Sequence, residues 1–305
     1  MIIITAKAHP VLIETFEKKG FEVLYAPSIT YEELLNKVEQ ATGLVVTTRI
    51  KIDKAIIDKA PKLQWIGRLG SGLELIDLKY AEEKNIRCIS TPEGNRNAVA
   101  EHSLGLLLNL MNNICRSQAA VKQHLWLREE NRGTELSGKT VGIVGFGNTG
   151  QAFAKLLLAF DVTILAYDKY KFGFGAGPVK EANFEQVCKY SDVISFHVPL
   201  TEETRYMADT AFFGSLKQKP YILNTSRGKV LKLADLVTAL ELGQVSGAAL
   251  DVLENEIIND LNADEERIFH ILNNRPDVIL TPHIAGYSTE AFYLMSKVLL
   301  DKLDV

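Results

Sequence analysis

Short apolar runs of strand length alternate with amphipathic, helix-like stretches almost throughout this chain. Such alternation is typical of βαβ units, in which a crossover helix returns the chain to a parallel strand. The candidate strands fall into two groups, so the pattern predicts an α/β fold with two doubly wound parallel-sheet domains. The first group covers residues 2–5, 22–26, 43–47, 64–68 and 86–89, and the second covers residues 140–144, 162–167, 192–196, 220–224, 246–250 and 277–280.

Two helical patterns stand outside this alternation. Apolar residues such as Leu104, Leu107 and Met111 recur at three- and four-residue steps over residues 97–127, which predicts one long helix between the two groups of strands. Residues 289–303 have the pattern of a single amphipathic helix at the end of the chain. Because one helix cannot bury its own apolar face, we expect this last helix to dock on a domain formed earlier in the chain.

The composition of the 305 residues favours a small-molecule partner in the cytoplasm. A formal net charge of −4 and the absence of a basic block argue against nucleic acid or an anionic membrane as partners. The three cysteines lie far apart without metal-ligand spacing, so we expect reduced thiols and no metal site. The N-terminal apolar run has only strand length, so no signal peptide is expected. The most apolar helical stretch, residues 104–111, is too short to span a bilayer, so no transmembrane segment is expected.

The segment VGIVGFGNTG, residues 141–150, has the spacing of a dinucleotide-binding turn between a strand and a helix. Gly145 permits the tight turn, Gly147 lets backbone amides approach a pyrophosphate, and Gly150 lets the helix pack on its strand. Asp168 follows the next candidate strand, where an acidic residue grips the adenosine ribose. The predicted cofactor site therefore comprises Gly145, Phe146, Gly147, Asn148, Thr149, Gly150 and Asp168.

The acidic residue favours NAD over NADP, because a carboxylate repels a 2′-phosphate. Lys169 and Lys171 follow it directly and leave NADP open as the alternative. A glycine-rich turn with a capping aspartate and no ligand is the other alternative.

Polar residues follow four later strands, at the sheet edge where ligands bind in open parallel sheets. They occur in the segments HVPL (197–200), NTSRG (224–228), DVLENE (251–256) and TPHIAG (281–286). Arg227 could hold the oxygens of a carboxylate beside a carbonyl, and His283 could carry the proton that accompanies a hydride. Glu256 is the nearest carboxylate that could orient the imidazole. His197 is more typical of a satisfied, half-buried histidine, and Arg227 and Glu256 taken alone could be surface residues.

These motifs together resemble the D-isomer-specific 2-hydroxyacid dehydrogenases. The resemblance extends over DVISFHVPLTEETRYM (192–207), LNTSRGKV (223–230), GAALDVLENE (247–256) and TPHIAGYSTEA (281–291), and includes GRLGSGLELID (67–77) and GNRNAVAEHSLGLLL (94–108). It covers residues 70–305 well and the first 70 residues loosely.

The resemblance implies roles for individual residues. Arg227, Glu256 and His283 correspond to the catalytic arginine, glutamate and histidine of the family. The residues implied to line the cofactor site, besides the glycine turn and Asp168, are His197, Val198, Pro199, Thr225, Ser226, Asp251 and Ala285. Those implied to bind the substrate are Gly70, Ser71, Gly72 and Asn95, and, as in the phosphoglycerate dehydrogenase-like branch, the phosphate-contacting arginines Arg49 and Arg68.

The resemblance also implies the order of domains. Residues 1–95 with 286–305 are predicted to form a flavodoxin-like substrate domain, and residues 96–285 an inserted Rossmann domain for NAD. The helix over residues 97–127 is implied to be a dimerisation arm, so a homodimer is expected. Because the chain stops at residue 305, we expect a short form without a C-terminal regulatory domain.

The family implies an NAD-dependent enzyme that interconverts a D-2-hydroxy acid and its 2-keto acid, with D-3-phosphoglycerate and 3-phosphohydroxypyruvate as the favoured pair. Glyoxylate or hydroxypyruvate reduction, or a D-lactate-type reaction, is the alternative within the family. An NADH-sensing protein similar to the corepressors of this fold is the alternative of another class.

Overall fold

The structure is a computed structural model that describes all 305 residues. The chain forms two compact units, Met1–Ala98 with Gly286–Val305, and Val99–Ala285. Each unit is built around one parallel sheet, so the predicted α/β class is confirmed. None of the helices combines the length and the apolar character that a membrane-spanning segment needs.

The first unit contains a five-stranded sheet in the order β2-β1-β3-β4-β5. Ile3 belongs to the apolar cluster on one face of this sheet, and Ile2 and Ile4 belong to the cluster on the other face, as the alternation of side chains along a strand requires. The elements are β1 (Ile2–Ile4), α1 (Pro10–Lys18), β2 (Val23–Tyr25), α2 (Tyr31–Lys37), β3 (Gly43–Val46), α3 (Lys54–Asp58), β4 (Trp65–Arg68), α4 (Leu78–Glu83) and β5 (Arg87–Ser90).

The stretch predicted as one long helix forms two helices, α5 (Pro92–Met111) and α6 (Ile114–Lys122). Asn113 separates them with a φ of 54°, a left-handed conformation that ends a regular helix. Asn109 holds the break, because its side-chain oxygen accepts the backbone N–H of Cys115 at 2.9 Å. The prediction of a single helix was therefore wrong. An asparagine can adopt the left-handed conformation at little cost, and the spacing of apolar residues does not indicate where a helix is interrupted in this way.

The second unit contains a seven-stranded sheet in the order β12-β11-β10-β9-β6-β7-β8. Its strands are β6 (Thr140–Val144), β7 (Thr163–Tyr167), β8 (Val179–Glu181), β9 (Val193–Phe196), β10 (Tyr221–Asn224), β11 (Gly247–Leu250) and β12 (Val278–Leu280). The intervening helices are α7 (Asn148–Leu157), α8 (Phe184–Tyr190), α9 (Thr210–Ser215), α10 (Leu233–Glu241) and α11 (Ala263–Asn274). The sequence pattern did not predict β8, a short edge strand with little burial that follows a glycine-rich turn.

The last helix, α12 (Thr289–Leu303), packs in the first unit. Leu299 and Leu300 are buried in the same apolar cluster as Ile2 and Ile4. Lys302 donates to the carboxylate of Glu93 at 2.8 Å and 2.9 Å. The helix thus buries its apolar face on the N-terminal sheet, in the way its amphipathic pattern required.

Candidate active site

The glycine turn after β6 is shaped by crowding at two of its three glycines. Gly145 has a φ of 95°, and a Cβ there would lie 2.6 Å from the carbonyl oxygen of His197. A Cβ at Gly150 would lie 2.1 Å from the carbonyl oxygen of Gly145. A Cβ at Gly147, in contrast, would meet no atom within 4 Å. Packing within the protein therefore requires glycine at the outer positions, whereas the middle position faces open space at the start of α7.

Asp168 follows β7 and lies over this turn. Its carboxylate accepts the backbone N–H of Phe146 at 2.9 Å and that of Tyr170 at 3.0 Å. The Phe146 ring stacks on Phe174 with the ring centres 4.7 Å apart. These contacts place the acid beside the amides of the glycine turn.

The other residues predicted for the cofactor follow four strands: His197, Val198 and Pro199 follow β9, Thr225 and Ser226 follow β10, Asp251 follows β11, and Ala285 lies after β12. His197 is buried, packs on Phe153, and has its Nε2 2.9 Å from the Ser195 hydroxyl. Burial lowers the pKa of His197 from 6.5 to about 4, so this ring is neutral at physiological pH. Val198 and Pro199 continue the chain from His197, and the side chain of Val198 lies against the turn at Gly145.

The turn after β10 carries Arg227 and is held by its own polar side chains. The Asn224 side-chain oxygen accepts the backbone N–H and the hydroxyl of Ser226 at 3.1 Å and 2.8 Å, and its NH₂ donates to the Arg227 carbonyl at 3.0 Å. The Thr225 hydroxyl lies 2.9 Å from that of Ser103 on α5. A Cβ at Gly228 would lie 1.8 Å from the Leu253 carbonyl oxygen, so this turn and the loop after β11 are in direct backbone contact.

His283 and Glu256 form a pair. Nδ1 of His283 lies 2.8 Å from Oε2 of Glu256, and both side chains are partly exposed. His283 has a φ of 55°, an uncommon conformation for a residue with a side chain. Its backbone N–H donates to the carbonyls of Asp251 and Thr281 at 2.8 Å and 3.0 Å. The loop backbone and Glu256 therefore hold the imidazole in one orientation. Nδ1 contacts Glu256, and Nε2 can bind another partner.

A buried carboxylate, Asp251, holds the loop that carries His283. Asp251 is 1% exposed and accepts the Thr281 hydroxyl at 2.6 Å and the backbone N–H groups of Ile284 and Ala285 at 2.9 Å and 2.8 Å. Burial by itself raises the pKa of Asp251, but bonds from His102, from Thr281 and from these two amides lower it below its ordinary value of 3.8. Asp251 is therefore ionised at neutral pH and fixes the backbone on the far side of His283.

Two residues of this site were not assigned to it from the sequence. His102, interpreted as structural, lies on α5 with its Nε2 3.1 Å from the Thr281 hydroxyl and 3.5 Å from Asp251. Glu254 accepts the Tyr206 hydroxyl and the backbone N–H of Leu233, both at 2.7 Å, and its hydrogen bond raises the pKa of Tyr206 to about 12. Both residues lie within segments that carry the family resemblance, 94–108 and 247–256, which is the only signal for them in the sequence.

The structure brings the three predicted catalytic residues to one edge of one sheet. Arg227, Glu256 and His283 follow β10, β11 and β12, which are neighbours in the seven-stranded sheet. The Arg227 guanidinium donates to the Ser226 carbonyl at 2.7 Å. An arginine, a carboxylate and an imidazole thus share the edge that also carries the glycine turn.

The predicted substrate residues lie in the first unit. Gly70 has a φ of 132° and donates its N–H to the Thr91 hydroxyl at 2.8 Å. The Arg68 guanidinium lies against Gly70 and donates to the Leu69 carbonyl at 2.7 Å. In the same turn, which includes Gly72, the Ser71 hydroxyl donates to the side-chain oxygen of Asn95 at 3.4 Å.

Arg49 is engaged with backbone carbonyls. Its guanidinium donates to Thr5 at 2.9 Å, to Ile29 at 3.4 Å, and also to Pro27. These three carbonyls follow β1 and β2, so Arg49 ties together two loops of the first unit. Its contact with a phosphate stays a prediction.

The sequence of this chain is similar to a known enzyme family and to individual proteins within it. Residues 104–285 match the family model described as D-isomer specific 2-hydroxyacid dehydrogenase, NAD binding domain. The chain is 36% identical over 292 residues to the D-3-phosphoglycerate dehydrogenase of Methanocaldococcus jannaschii, covering 95% of this chain and 54% of that protein. It is also 36% identical over 272 residues to the hydroxypyruvate reductase of Thermotoga maritima, covering 89% of this chain and 87% of that protein.

A solved structure has the same fold over the whole chain. The D-lactate dehydrogenase of Aquifex aeolicus, complexed with NAD and lactic acid, is 27% identical and superposes with a TM-score of 0.86, covering 100% of this chain and 94% of that one. The chain spans about half the length of the curated D-3-phosphoglycerate dehydrogenases of Methanocaldococcus jannaschii and Archaeoglobus fulgidus, 54% and 52%. It spans most of the length of the reductase and of the lactate dehydrogenase.

Proposed function

This chain belongs to the D-isomer-specific 2-hydroxyacid dehydrogenase family, and we propose that it is an NAD-dependent oxidoreductase that interconverts a D-2-hydroxy acid and its 2-keto acid. The observation that carries the proposal is the His283–Glu256 pair at 2.8 Å, on the same sheet edge as Arg227 and the glycine turn. No single motif would require these groups to meet, whereas hydride transfer beside a carboxylate needs all of them.

The glycine turn fits a dinucleotide. Open space around Gly147 lets a pyrophosphate approach the backbone amides at the start of α7, where the helix dipole favours negative charge. Asp168, already oriented by two backbone amides, is placed to accept the ribose hydroxyls. NAD, when bound, supplies the hydride acceptor.

The chain's own residues supply orientation and a proton carrier. Glu256 on Nδ1 of His283 leaves Nε2 to take the proton of the substrate hydroxyl, or to return it in the reverse direction. Arg227, as a planar guanidinium, binds the carboxylate and the carbonyl oxygen of the substrate and orients the reacting carbon. The Asp251 network keeps the His283 backbone in its left-handed conformation, so the imidazole requires little reorganisation during the reaction.

The proposed substrate pair is D-3-phosphoglycerate and 3-phosphohydroxypyruvate, with Arg68 and Arg49 as the phosphate contacts. Arg68 lies against the Gly70 turn, which supports a role beside the substrate. Reduction of hydroxypyruvate or glyoxylate is the second candidate. The three backbone carbonyls bound by Arg49, and the near-full-length match to the hydroxypyruvate reductase, favour this alternative.

A homodimer in the cytoplasm is the proposed state of the protein. Helix α6 and the segment that follows it expose a group of apolar side chains that a second copy would cover: Ile114, Val121, Leu125, Trp126 and Leu127. All three cysteines are free, which suits a reducing compartment.

The decisive experiment is a panel of 2-keto acids with NADH, including 3-phosphohydroxypyruvate, hydroxypyruvate, glyoxylate and pyruvate, followed by absorbance. His283→Ala should lower the rate on the best substrate by about 10²–10⁴-fold. His270→Ala, which removes an exposed imidazole on α11, is the matched control and should retain full rate. Absence of turnover with every acid, or equal rates in wild type and His283→Ala, would contradict the proposal. Tight NADH binding without any turnover would instead favour an NADH-sensing binding protein.

A further inference from the structure

Three side chains meet beside Asp168, just after the end of β7. Nζ of Lys169 lies 2.6 Å from Oε1 of Glu203, and the Tyr170 hydroxyl donates to Oε2 of the same carboxylate at 2.5 Å. The Lys169 ammonium also lies 5.7 Å from the centre of the Tyr170 ring. Lys169, Tyr170 and Glu203 are called the Glu203 cluster below; Glu203 itself comes from the loop after β9.

The cluster keeps opposite charges together at neutral pH. Hydrogen bonds from Lys169 and then from Tyr170 lower the pKa of Glu203, and the bond to Glu203 raises the pKa of Lys169 and that of Tyr170. The positive charge of Lys169 is therefore matched by a carboxylate.

Two other charged groups at this turn are Asp168 and Lys171. The Asp168 carboxylate accepts two backbone amides, and Nζ of Lys171 donates to the Phe146 carbonyl at 3.1 Å. Of the two lysines that the sequence left open as partners of a 2′-phosphate, one is paired with a carboxylate and the other binds a neutral carbonyl of the glycine turn.

We propose that Glu203 is a cofactor-specificity residue, which excludes NADP by holding Lys169 in an ion pair beside the ribose-binding carboxylate. A 2′-phosphate arriving at Asp168 then meets two carboxylates, while Lys169 is already held by one of them. Like charges placed together oppose binding, and this repulsion is a common source of discrimination between ligands. The proposal rests on the proposed function, since it requires the adenosine ribose to lie at Asp168.

Removing this carboxylate should leave the fold intact. The side chains of Lys169 and Glu203 are 53% and 52% exposed, and exposed ion pairs contribute little to folding stability. Glu203→Gln removes one negative charge and releases Lys169 towards a phosphate. Because the groups are exposed, the effect should shrink as salt screens the charges.

The test is isothermal titration of NADH and NADPH, at low and at high ionic strength, with four proteins: wild type, Glu203→Gln, Glu202→Gln and the double variant Lys169→Gln/Glu203→Gln. Glu202→Gln is the matched control, because it removes the same charge one residue away. We expect Glu203→Gln to improve NADPH affinity relative to NADH by about fivefold to tenfold at low salt, the size of the attraction between one unpaired positive charge, that of Lys169, and a phosphate at a protein surface. Glu202→Gln should leave the ratio nearly unchanged, and the double variant should lose the gain.

Three results would overturn the proposal: an unchanged affinity ratio in Glu203→Gln, an equal gain in Glu202→Gln, or a gain that survives in the double variant. The last result would mean that loss of the Glu203 carboxylate alone, and not release of Lys169, improves NADPH binding. Because the readout is binding, a wild type that binds NADH but reduces no 2-keto acid would contradict the proposed activity and leave this test intact. A wild type that binds neither dinucleotide would overturn both proposals.

Discussion

Replacing the buried Asp251 by asparagine should destabilise the second unit and loosen the loop that carries His283. The carboxylate accepts the Thr281 hydroxyl, the Ile284 amide and the Ala285 amide, at 2.6, 2.9 and 2.8 Å. An asparagine has one oxygen, so it can retain the first two bonds only by directing its NH₂ group at the Ala285 N–H. Two donors then face each other in a site that is 1% exposed in the wild type.

The expected loss of folding free energy in Asp251→Asn follows from the hydrogen bonds that the substitution removes. A buried donor left without a partner costs about 1–3 kcal/mol, and a hydrogen bond to a charged group contributes about 1.5–3 kcal/mol. A total near 3 kcal/mol corresponds to a fall in Tm of about 6–12 °C for a domain of about 150–250 residues. The His283 backbone, whose left-handed conformation costs about 1–2 kcal/mol, also loses part of the network that holds it, so kcat should fall as well.

Thermal unfolding followed by circular dichroism, together with rate measurements on the best 2-keto acid, tests this reasoning. Asp264→Asn is the control, because the same chemical change falls on a side chain that is 90% exposed and should move Tm little. A Tm for Asp251→Asn within about 1 °C of that of wild type would show that the buried network contributes nothing measurable, and would refute the argument.

The pH dependence provides a second check on Asp251. Its folded-state pKa is lowered below 3.8, so its stabilising contribution is complete above that pH and is lost as the pH falls through the lower folded value. The difference in unfolding free energy between wild type and Asp251→Asn should therefore be largest near neutrality and should diminish below pH 3.8. A difference that stayed constant down to strongly acidic pH would mean that the charge is not responsible.

Four further substitutions should separate structural from functional residues. Gly150→Ala places a Cβ 2.1 Å from the Gly145 carbonyl oxygen and should lower the free energy of unfolding in urea by about 1–3 kcal/mol. Gly147→Ala has open space around the new Cβ, so it should keep the wild-type stability and weaken NADH binding in titration. Leu299→Ala, at a fully buried position of α12, should cost about 2–5 kcal/mol in urea unfolding. Histidine in the unfolded chain is protonated near pH 6.5, whereas buried His197 in the folded protein is protonated only near pH 4. The unfolding free energy should therefore fall by up to about 3 kcal/mol as the pH is lowered from 6.5 to 4. This pH dependence should be absent in His197→Gln.

Each of these predictions has a result that would contradict it. Equal destabilisation by both glycine variants would mean that the turn is crowded throughout. A Leu299→Ala protein as stable as wild type would place α12 outside the core of the first unit. An identical pH profile in wild type and His197→Gln would show that the buried imidazole does not control acid stability.

The sequence predicted the local elements well because their causes are local. The alternation of Ile2, Ile3 and Ile4 across the two faces of a strand, and the tight turn at Gly145, follow from a few adjacent residues. The helix over residues 97–127 was the exception. A single asparagine, Asn113, interrupts it by adopting a left-handed conformation that most side chains avoid.

The candidate site was predicted in part. The family motifs identified Arg227, Glu256 and His283, and the parallel sheet explains why residues at the ends of separate strands lie on one edge. The sequence did not predict that His102 would bond to Thr281, which is 179 residues away, or that Arg49 would bind three backbone carbonyls. Such contacts depend on how helices and loops pack on the sheet.

By itself the sequence determined the two sheets, the glycine turn and the acid that follows it, because periodicity and backbone sterics act over a few residues. Only the tertiary structure decided which charges are paired. Lys169 was an open candidate for a 2′-phosphate in the sequence, and Glu203, 34 residues further along the chain, lies 2.6 Å from it in the folded protein. The physical reason is that Coulomb interactions depend on distance in space, and that distance is set by the order β9-β6-β7 in one sheet.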